Sequence, residues 1–444
     1  MGSFPAEAWM AAFQARVNAD RELAVIGRKF NANIGVGFGD TRYVIQVREG
    51  KLSSFIASSR FDVPTDFGLR APMEVWAKFL SPNPPPLFHD FFAMLMRVPE
   101  FIIDGNTLAA MQCARALHRM MNLMREAPGA PDAPPDTGLR SSSVFMHRID
   151  PQSAQALTSD ALPMPDFEPI AGRYLRMDID GEPHRIYVEE AGQGIPLLCL
   201  HTAGADSRQY RHLLNDEEIT SRFRVVCFDM PWHGRSDPPP GWWLTTYELK
   251  TEPYLRLIRQ VWQALGLERP VVMGCSMGGA IVLRVASDFA DEIRGIIGLE
   301  SGAYAPGRYN DFLHHPAIHG GELVATYTFG LNAPMSPEAG KRDNWWYYAQ
   351  GGPGVYAGDV MFYSFDWDAR EHVKRIDARR CKVSLLTGAF DYSCTPEMTR
   401  AVADAIPGCR YTEMPGIGHF PMIENYPLFR TYLMPELDVM AGAD

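Results

Sequence analysis

Gly274-Cys275-Ser276-Met277-Gly278 carries the strongest chemical signature in this chain. A serine stands between two glycines, after an apolar β-rich run from Pro270 and before a helical stretch from Met277. In such a strand–turn–helix elbow the serine is strained so that its Oγ is thrust out above the sheet. The residues two before and two after it approach closely, so both must be tiny. Gly274 and Gly278 meet that need, and Gly279 lets the helix lie against the strand. A hydroxyl is a weak nucleophile until a base accepts its proton. His419 is the best candidate base. It lies in Pro415-Gly416-Ile417-Gly418-His419-Phe420, after the last β-rich run, where glycines let a loop fold over the strand ends. A third group must fix the imidazole tautomer and stabilise the imidazolium. Asp391, in Thr387-Gly388-Ala389-Phe390-Asp391, is preferred for that role over Glu300, which ends the run Gly295–Leu299. Attack on a carbonyl places negative charge on oxygen, which preorganised N–H donors must receive. The backbone N–H of Met277, at the positive end of the elbow helix, supplies one.

The elements that position these residues alternate along the chain. Apolar β-rich runs fall at Tyr174–Ile179, His184–Glu189, Ile195–His201, Arg224–Asp229, Pro270–Gly274, Gly295–Leu299, Val383–Thr387 and Arg410–Met414. The later runs are continuous, as parallel strands covered on both faces require. Helical segments such as Thr251–Leu265 and Met277–Phe289 separate them, which predicts an α/β sheet. About 83 residues lie between Leu299 and Val383, too many for a crossover, so an insertion is expected there.

Four motifs follow one another in order: the loop His201-Thr202-Ala203-Gly204, the turn Asp229-Met230-Pro231-Trp232-His233-Gly234-Arg235-Ser236-Asp237, the elbow, and the Asp391/His419 pair. Together they resemble the α/β-hydrolase family across about residues 170–435. The resemblance implies a sheet of about eight mostly parallel strands, with a cap inserted after the sixth at about residues 302–375. It implies the chain order Ser…Asp…His, no cofactor and no metal. It also implies that the second oxyanion donor comes from the His201 loop. Relatives carry glycine directly after that histidine whereas this chain has Thr202, and the donor is assigned to Ala203. His201, His233 and Asp229 are expected to hold turns rather than react. Haloalkane dehalogenases and epoxide hydrolases of this fold place aspartate where Ser276 stands, to form an alkyl-enzyme ester, which argues against both chemistries. Carbon–carbon hydrolases keep serine, often in a G-x-S-M-G-G elbow like this one, and remain open beside esterase, amidase and lactonase activities. A lipid-binding or scaffold protein with a vestigial site is the alternative from another class, and the intact elbow, base and acid argue against it.

Within the insertion, 14 of the 69 residues from Gly302 to Arg370 are aromatic, about 20% against 11% for the chain. Such a cap suits an apolar pocket with tyrosine hydroxyls placing a polar group, so a carboxylic ester of a medium-sized apolar or aromatic molecule is the expected substrate. His314, His315 and His319 lack a carboxylate at matching helical spacing, and Pro316 interrupts them, so packing roles are expected rather than metal ligation.

Upstream, Glu126–Leu139 is rich in proline, glycine and alanine and reads as a linker. The chain therefore divides into a smaller N-terminal α+β domain at 1–128, a connecting segment at 129–168 and a hydrolase domain at 169–444. In the first, a helix at Ala6–Arg28, alternating strands at Asn33–Gly39, Tyr43–Arg48 and Leu52–Ala57, and helices at Met73–Leu80, Leu87–Met96 and Thr107–Met124 are expected. Their order, with Trp76 and the stretch Phe101-Ile102-Ile103-Asp104-Gly105-Asn106, resembles the sterol-carrier-protein-2-like fold, which implies an apolar tunnel for lipids. The alternatives are a docking role or pairing of two copies as a homodimer.

The net charge of −11 argues against a nucleic-acid partner without excluding a small anionic substrate, because local fields can oppose the total. Seven cysteines without ligand-like spacing fit buried thiols in a reducing compartment. No run approaches the roughly 20 apolar residues of a membrane span. A cytoplasmic location is expected.

Overall fold

The computed structural model describes residues 7–57, 63–127 and 167–442. Most of the linker and of the connecting segment at 129–168 lies outside those residues. The N-terminal domain is built on one sheet of β1 (Ala32–Phe38), β2 (Thr41–Arg48), β3 (Lys51–Ala57), β4 (Phe67–Ala71) and β5 (Ile102–Gly105), in the order β3-β2-β1-β4-β5. The single helix expected at 6–28 is two, Glu7–Ala19 and Arg21–Ile26. The break is at Asp20, whose carboxylate accepts from Leu23 N at 2.7 Å and caps the second helix. The helix expected at 107–124 is likewise divided at Cys113 into Thr107–Gln112 and Ala114–Glu126. β4 was not expected. Its five residues include a glycine and are too few to show alternation, yet they fill the gap between β1 and β5. The interior is occupied by rings: Trp76 meets Phe38 edge-on at 4.8 Å and Phe101 at 5.8 Å.

The second sheet comprises β6 (Ala171–Ile179), β7 (Glu182–Ala191), β8 (Ile195–Leu200), β9 (Phe223–Phe228), β10 (Val271–Cys275), β11 (Gly295–Leu299), β12 (Lys382–Gly388) and β13 (Arg410–Met414). Its order is β13-β12-β11-β10-β8-β9-β7-β6. The pairs β6·β7 and β7·β9 are antiparallel, and β8 to β13 run parallel. The eight expected β-rich runs are these eight strands, within a few residues at their ends. β10 and β11 are buried along their whole length, which is why they carry no polar alternation. The helices Thr251–Ala264, Met277–Asp288 and Tyr426–Ala441 pack on the sheet, and the parallel strands deliver their C-terminal ends, with the loops that follow, to one edge.

Between β11 and β12 the insertion folds as helices Gly320–Phe329, Glu338–Ala349 and Val355–Met361, followed by a π-helical turn, Phe362–Asp366. The N-terminal domain docks on this insertion. Leu323, Val324, Tyr347 and Tyr348 belong to the same buried apolar cluster as Phe13, Trp76 and Met121. Arg342 grips Glu22 through two bonds of 2.6 Å, and Arg115 meets Glu322 at 2.8 Å. The two domains are thus joined by one continuous core rather than by a tether alone.

Candidate active site

Ser276 follows β10 directly and occupies φ +58°, ψ −112°, a conformation that costs a non-glycine residue roughly 1–3 kcal/mol. The close approaches expected around it are present. A Cβ on Gly274 would stand 2.4 Å from the Gly278 carbonyl carbon, and one on Gly279 would stand 2.0 Å from Leu299 O. The strain is held by the helix that starts at Met277 and by the Ser276 N–H, which donates to Leu299 O at 2.9 Å.

His419 lies in the loop after β13 and is buried. Its Nε2 is 2.8 Å from Ser276 Oγ, and its Nδ1 is 2.7 Å from Asp391 Oδ2. Asp391, in the loop after β12, is fixed in turn because its Oδ1 accepts from the backbone N–H groups of Ser393 (2.7 Å) and Cys394 (3.1 Å). Burial alone would raise the Asp391 carboxyl, but the charge and hydrogen bond of His419 outweigh it and hold it below its usual value. The tetrad of bonds runs unbroken from a backbone-anchored carboxylate to the hydroxyl at the sheet edge. Such an arrangement can take a proton from the serine and return it to a leaving group.

Glu300, the rival acid, does not touch the imidazole in any described hydrogen bond. Fully buried at the end of β11, it accepts from Gly388 N at 3.0 and 3.1 Å and is hydrogen-bonded to Asp391. Burial, then the adjacent Asp391 charge, pushes its carboxyl well above the ordinary range. Burial and the Asp391 charge thus favour the protonated form of Glu300, whereas His419 favours the ionised form of Asp391. Glu300, Asp391 and His419 lie close enough to hold a cation, with donor atoms within 4.8 Å of one another. However, both imidazole nitrogens are already engaged.

Ala203 lines the cavity above Ser276, and its N–H has no hydrogen-bond partner among the described residues. The Met277 N–H lies in the first turn of its helix, where amides have no intrahelical acceptor. The Thr202 departure has a local explanation: its Oγ1 is 2.5 Å from Tyr348 Oη of the insertion and donates to Gln209 Oε1 at 3.0 Å. His201 and His233 hold turns, as expected. His201 Nδ1 donates to Thr202 O (2.9 Å) and its Nε2 accepts from Met230 N (3.2 Å). Burial, and then His233, lowers it to about 4. His233 bonds Asp359 Oδ2 at 2.8 Å. Asp229 accepts from Ser207 N and Arg235 N, both at 2.8 Å. His315 and His319 cap local turns, accepting from Ala317 N and Glu322 N.

Several residues at the site were not singled out in the sequence, although Tyr363 belongs to the aromatic-rich insertion expected to line the pocket. Asp359 ties together the His233 turn, Gly204 N (2.7 Å) and Tyr247 Oη (2.7 Å), so the insertion fixes the loop that carries Ala203. Tyr363, in the π-helical turn, places its Oη 3.1 Å from Ser276 Oγ. Glu424, fully buried, accepts from Ala333 N at 3.0 Å and from Gly418 N, beside His419. The N-terminal domain braces the acid loop. Arg97 donates to Tyr392 O (2.7 Å) and Ser393 O (2.9 Å), and the His89 ring stands edge-on to Phe390 at 5.3 Å.

The aromatics of the insertion divide between roles. Tyr327, Tyr348, Tyr356 and Tyr363 line the cavity with Phe420, whereas Trp346 and Phe365 are exposed. The cavity is about 30 Å³, far below the roughly 300–1,000 Å³ that encloses a small organic ligand.

A family model for the alpha/beta hydrolase fold matches residues 195–426, more than half of the chain, and the protein belongs to that family. Among curated proteins it is 30% identical over 141 residues to haloalkane dehalogenase 2 of Mycobacterium tuberculosis (strain ATCC 25618 / H37Rv), covering 32% of this chain and 46% of that protein. The chain thus spans about half the length of that relative. It is 24% identical over 276 residues to the proline iminopeptidase of Lactobacillus delbrueckii subsp. lactis, covering 55% of this chain and 91% of that one. Among solved structures it is similar to a thermophilic esterase from Thermogutta terrifontis, with a TM-score of 0.53 and 20% identity over 61% of this chain and 99% of that one. It is also similar to the enol-lactonase from Burkholderia xenovorans LB400, with a TM-score of 0.51 and 19% identity over 59% and 99%. Likeness at these identities speaks for the shared fold. No helix among the described residues is long and apolar enough to cross a membrane.

Proposed function

We propose that the protein is a serine hydrolase cleaving a carboxylic ester of a medium-sized apolar or aromatic molecule through an acyl-enzyme. One observation carries this: the Ser276 Oγ–His419 Nε2 contact of 2.8 Å, continued by the 2.7 Å bond from Nδ1 to Asp391. In this reading His419 accepts the Oγ proton as Ser276 attacks the carbonyl carbon. Asp391 holds the Nδ1–H tautomer and stabilises the imidazolium. The N–H groups of Ala203 and Met277 receive the charge on the tetrahedral oxygen. His419 then protonates the leaving alcohol, and a water activated by the same imidazole releases the acid. An amidase, lactonase or carbon–carbon hydrolase would use the same groups. The serine at the elbow speaks against the alkyl-enzyme ester of the dehalogenases, despite the sequence likeness to one of them.

The segment at about 302–375 acts as the cap of a hydrolase domain at 169–444, and its four cavity-lining tyrosines support that role. The domain at 1–128 is read as a relative of the sterol-carrier-protein-2-like fold, on the resemblance of its sequence. Its ring-filled interior and its grip on the insertion favour docking over lipid transport. Pairing of copies through it would double the mass in solution, and a monomeric mass would exclude it.

Replacing Ser276 by alanine is expected to abolish turnover of a p-nitrophenyl ester and labelling by a fluorophosphonate, with the circular dichroism spectrum unchanged. Retained turnover in that variant overturns the proposal.

A further inference from the structure

Two guanidinium groups converge beside the Ser276 cavity without a carboxylate ion-pair partner among the described residues. Arg308, from the start of the insertion, is one of the residues lining that cavity, and among the described residues no aspartate or glutamate lines it. Its Nη2 donates to Ser393 O, and its Nη1 lies 3.4 Å from Met96 Sδ. Arg97 reaches across from the N-terminal domain and donates its own Nη2 to the same Ser393 O at 2.9 Å. Among the described residues neither arginine makes an ion pair. The nearby carboxylate, Asp391, is committed to His419 and to two backbone amides. Burial, and then the charge of Arg308, hold Arg97 below the usual arginine value, although the Asp391 charge pulls the other way. Tyr327 and Tyr356 line the same cavity, so hydroxyl donors accompany the charge.

A half-buried cation that finds only carbonyl and thioether partners is costly to keep. The chain holds two of them beside the nucleophile although its net charge as a whole is −11. We propose that this is an anion subsite: the substrate carries a carboxylate that Arg308 binds inside the cavity, with Arg97 reinforcing the field from the N-terminal domain. The guanidinium fork suits a carboxylate, and a local positive field gathers an anionic substrate against the overall charge. The inference rests on the hydrolase reading of Ser276 and narrows its substrate class to acid-bearing esters or their analogues.

The test uses the full chain and two matched probe pairs. In the first the charge is on the acyl side: mono-p-nitrophenyl glutarate against its methyl ester. In the second it is on the leaving group: 4-acetoxybenzoate against methyl 4-acetoxybenzoate. The wild type is expected to favour the anionic member of at least one pair in kcat/KM. In Arg308→Gln that anionic-to-neutral ratio is expected to fall about 10- to 100-fold, and Arg308→Lys to retain part of it. If the arginines only clamp the Tyr392–Cys394 loop, both members fall together and the ratio stays, which overturns the subsite. Equal wild-type rates within both pairs, with Ser276-dependent turnover, overturn the subsite and leave the hydrolase reading intact. If no ester is cleaved and no fluorophosphonate labels Ser276, the hydrolase reading fails. Calorimetric titration with glutarate then decides the subsite, with Arg308-dependent binding supporting it and its absence refuting it.

Discussion

Asp391→Asn is nearly isosteric, yet the hydrogen bonds around it make the outcome severe. Asp391 Oδ1 accepts from two backbone amides, Ser393 N at 2.7 Å and Cys394 N at 3.1 Å, and only a carbonyl oxygen can satisfy both. An asparagine must therefore keep its oxygen there and turn its NH2 toward His419 Nδ1, now 2.7 Å from Oδ2. The imidazole is driven to the other tautomer, with its proton on Nε2 pointing at Ser276 Oγ and no lone pair left to accept the serine proton. A forced tautomer of this kind costs serine hydrolases roughly ten-thousand-fold in kcat, about 5 kcal/mol of barrier. Glu300→Gln is the control, because a protonated carboxyl and an amide both donate to Asp391. It is expected to lose less than about tenfold, because one donor to the Asp391 carboxylate replaces another. Steady-state hydrolysis of a p-nitrophenyl ester, with folding checked by circular dichroism, reads both variants. If Asp391→Asn stays within tenfold of wild type, or Glu300→Gln falls further than it, then Asp391 is not the orienting acid.

Two further expectations follow from neighbours of the same loops. Tyr363→Phe removes the hydroxyl 3.1 Å from Ser276 Oγ and is expected to change kcat/KM by less than about tenfold. A hundredfold loss at unchanged fluorophosphonate labelling would instead put the phenol in the chemical step. Glu424 is pushed up to about 8 by burial, although two amide donors pull the other way. Its folded value lies above the ordinary 4.5, so the stability that its protonated form contributes is complete below about pH 4.5 and is lost as pH rises through about 8. Thermal unfolding of the wild type is thus expected to weaken by the equivalent of a few kcal/mol across that window. Glu424→Gln should lose that part of the pH dependence, and parallel curves for the two proteins would refute the assignment.

What the sequence determined by itself was everything carried by local chemistry. The elbow is legible because a positive-φ serine and two close backbone approaches demand glycine at fixed offsets. The eight strands are legible because continuous apolar runs have few other uses. The order of Ser276, Asp391 and His419 places each at the end of a strand, in a loop able to meet the others. The chain order already favoured Asp391 over Glu300; what the tertiary structure adds is that the imidazole bonds Asp391 while Glu300 accepts from Gly388 N, although both follow neighbouring strands. The tertiary structure also decided which insertion aromatics face Ser276: helical register and packing send Tyr348 inward and Trp346 to solvent, though both stand in one run. Asp359, Arg308 and Arg97 showed nothing in the sequence, because an isolated charged residue looks alike on a surface and in a site. Their meaning comes from partners tens to hundreds of residues away, and such contacts exist only once the chain has closed its long loops.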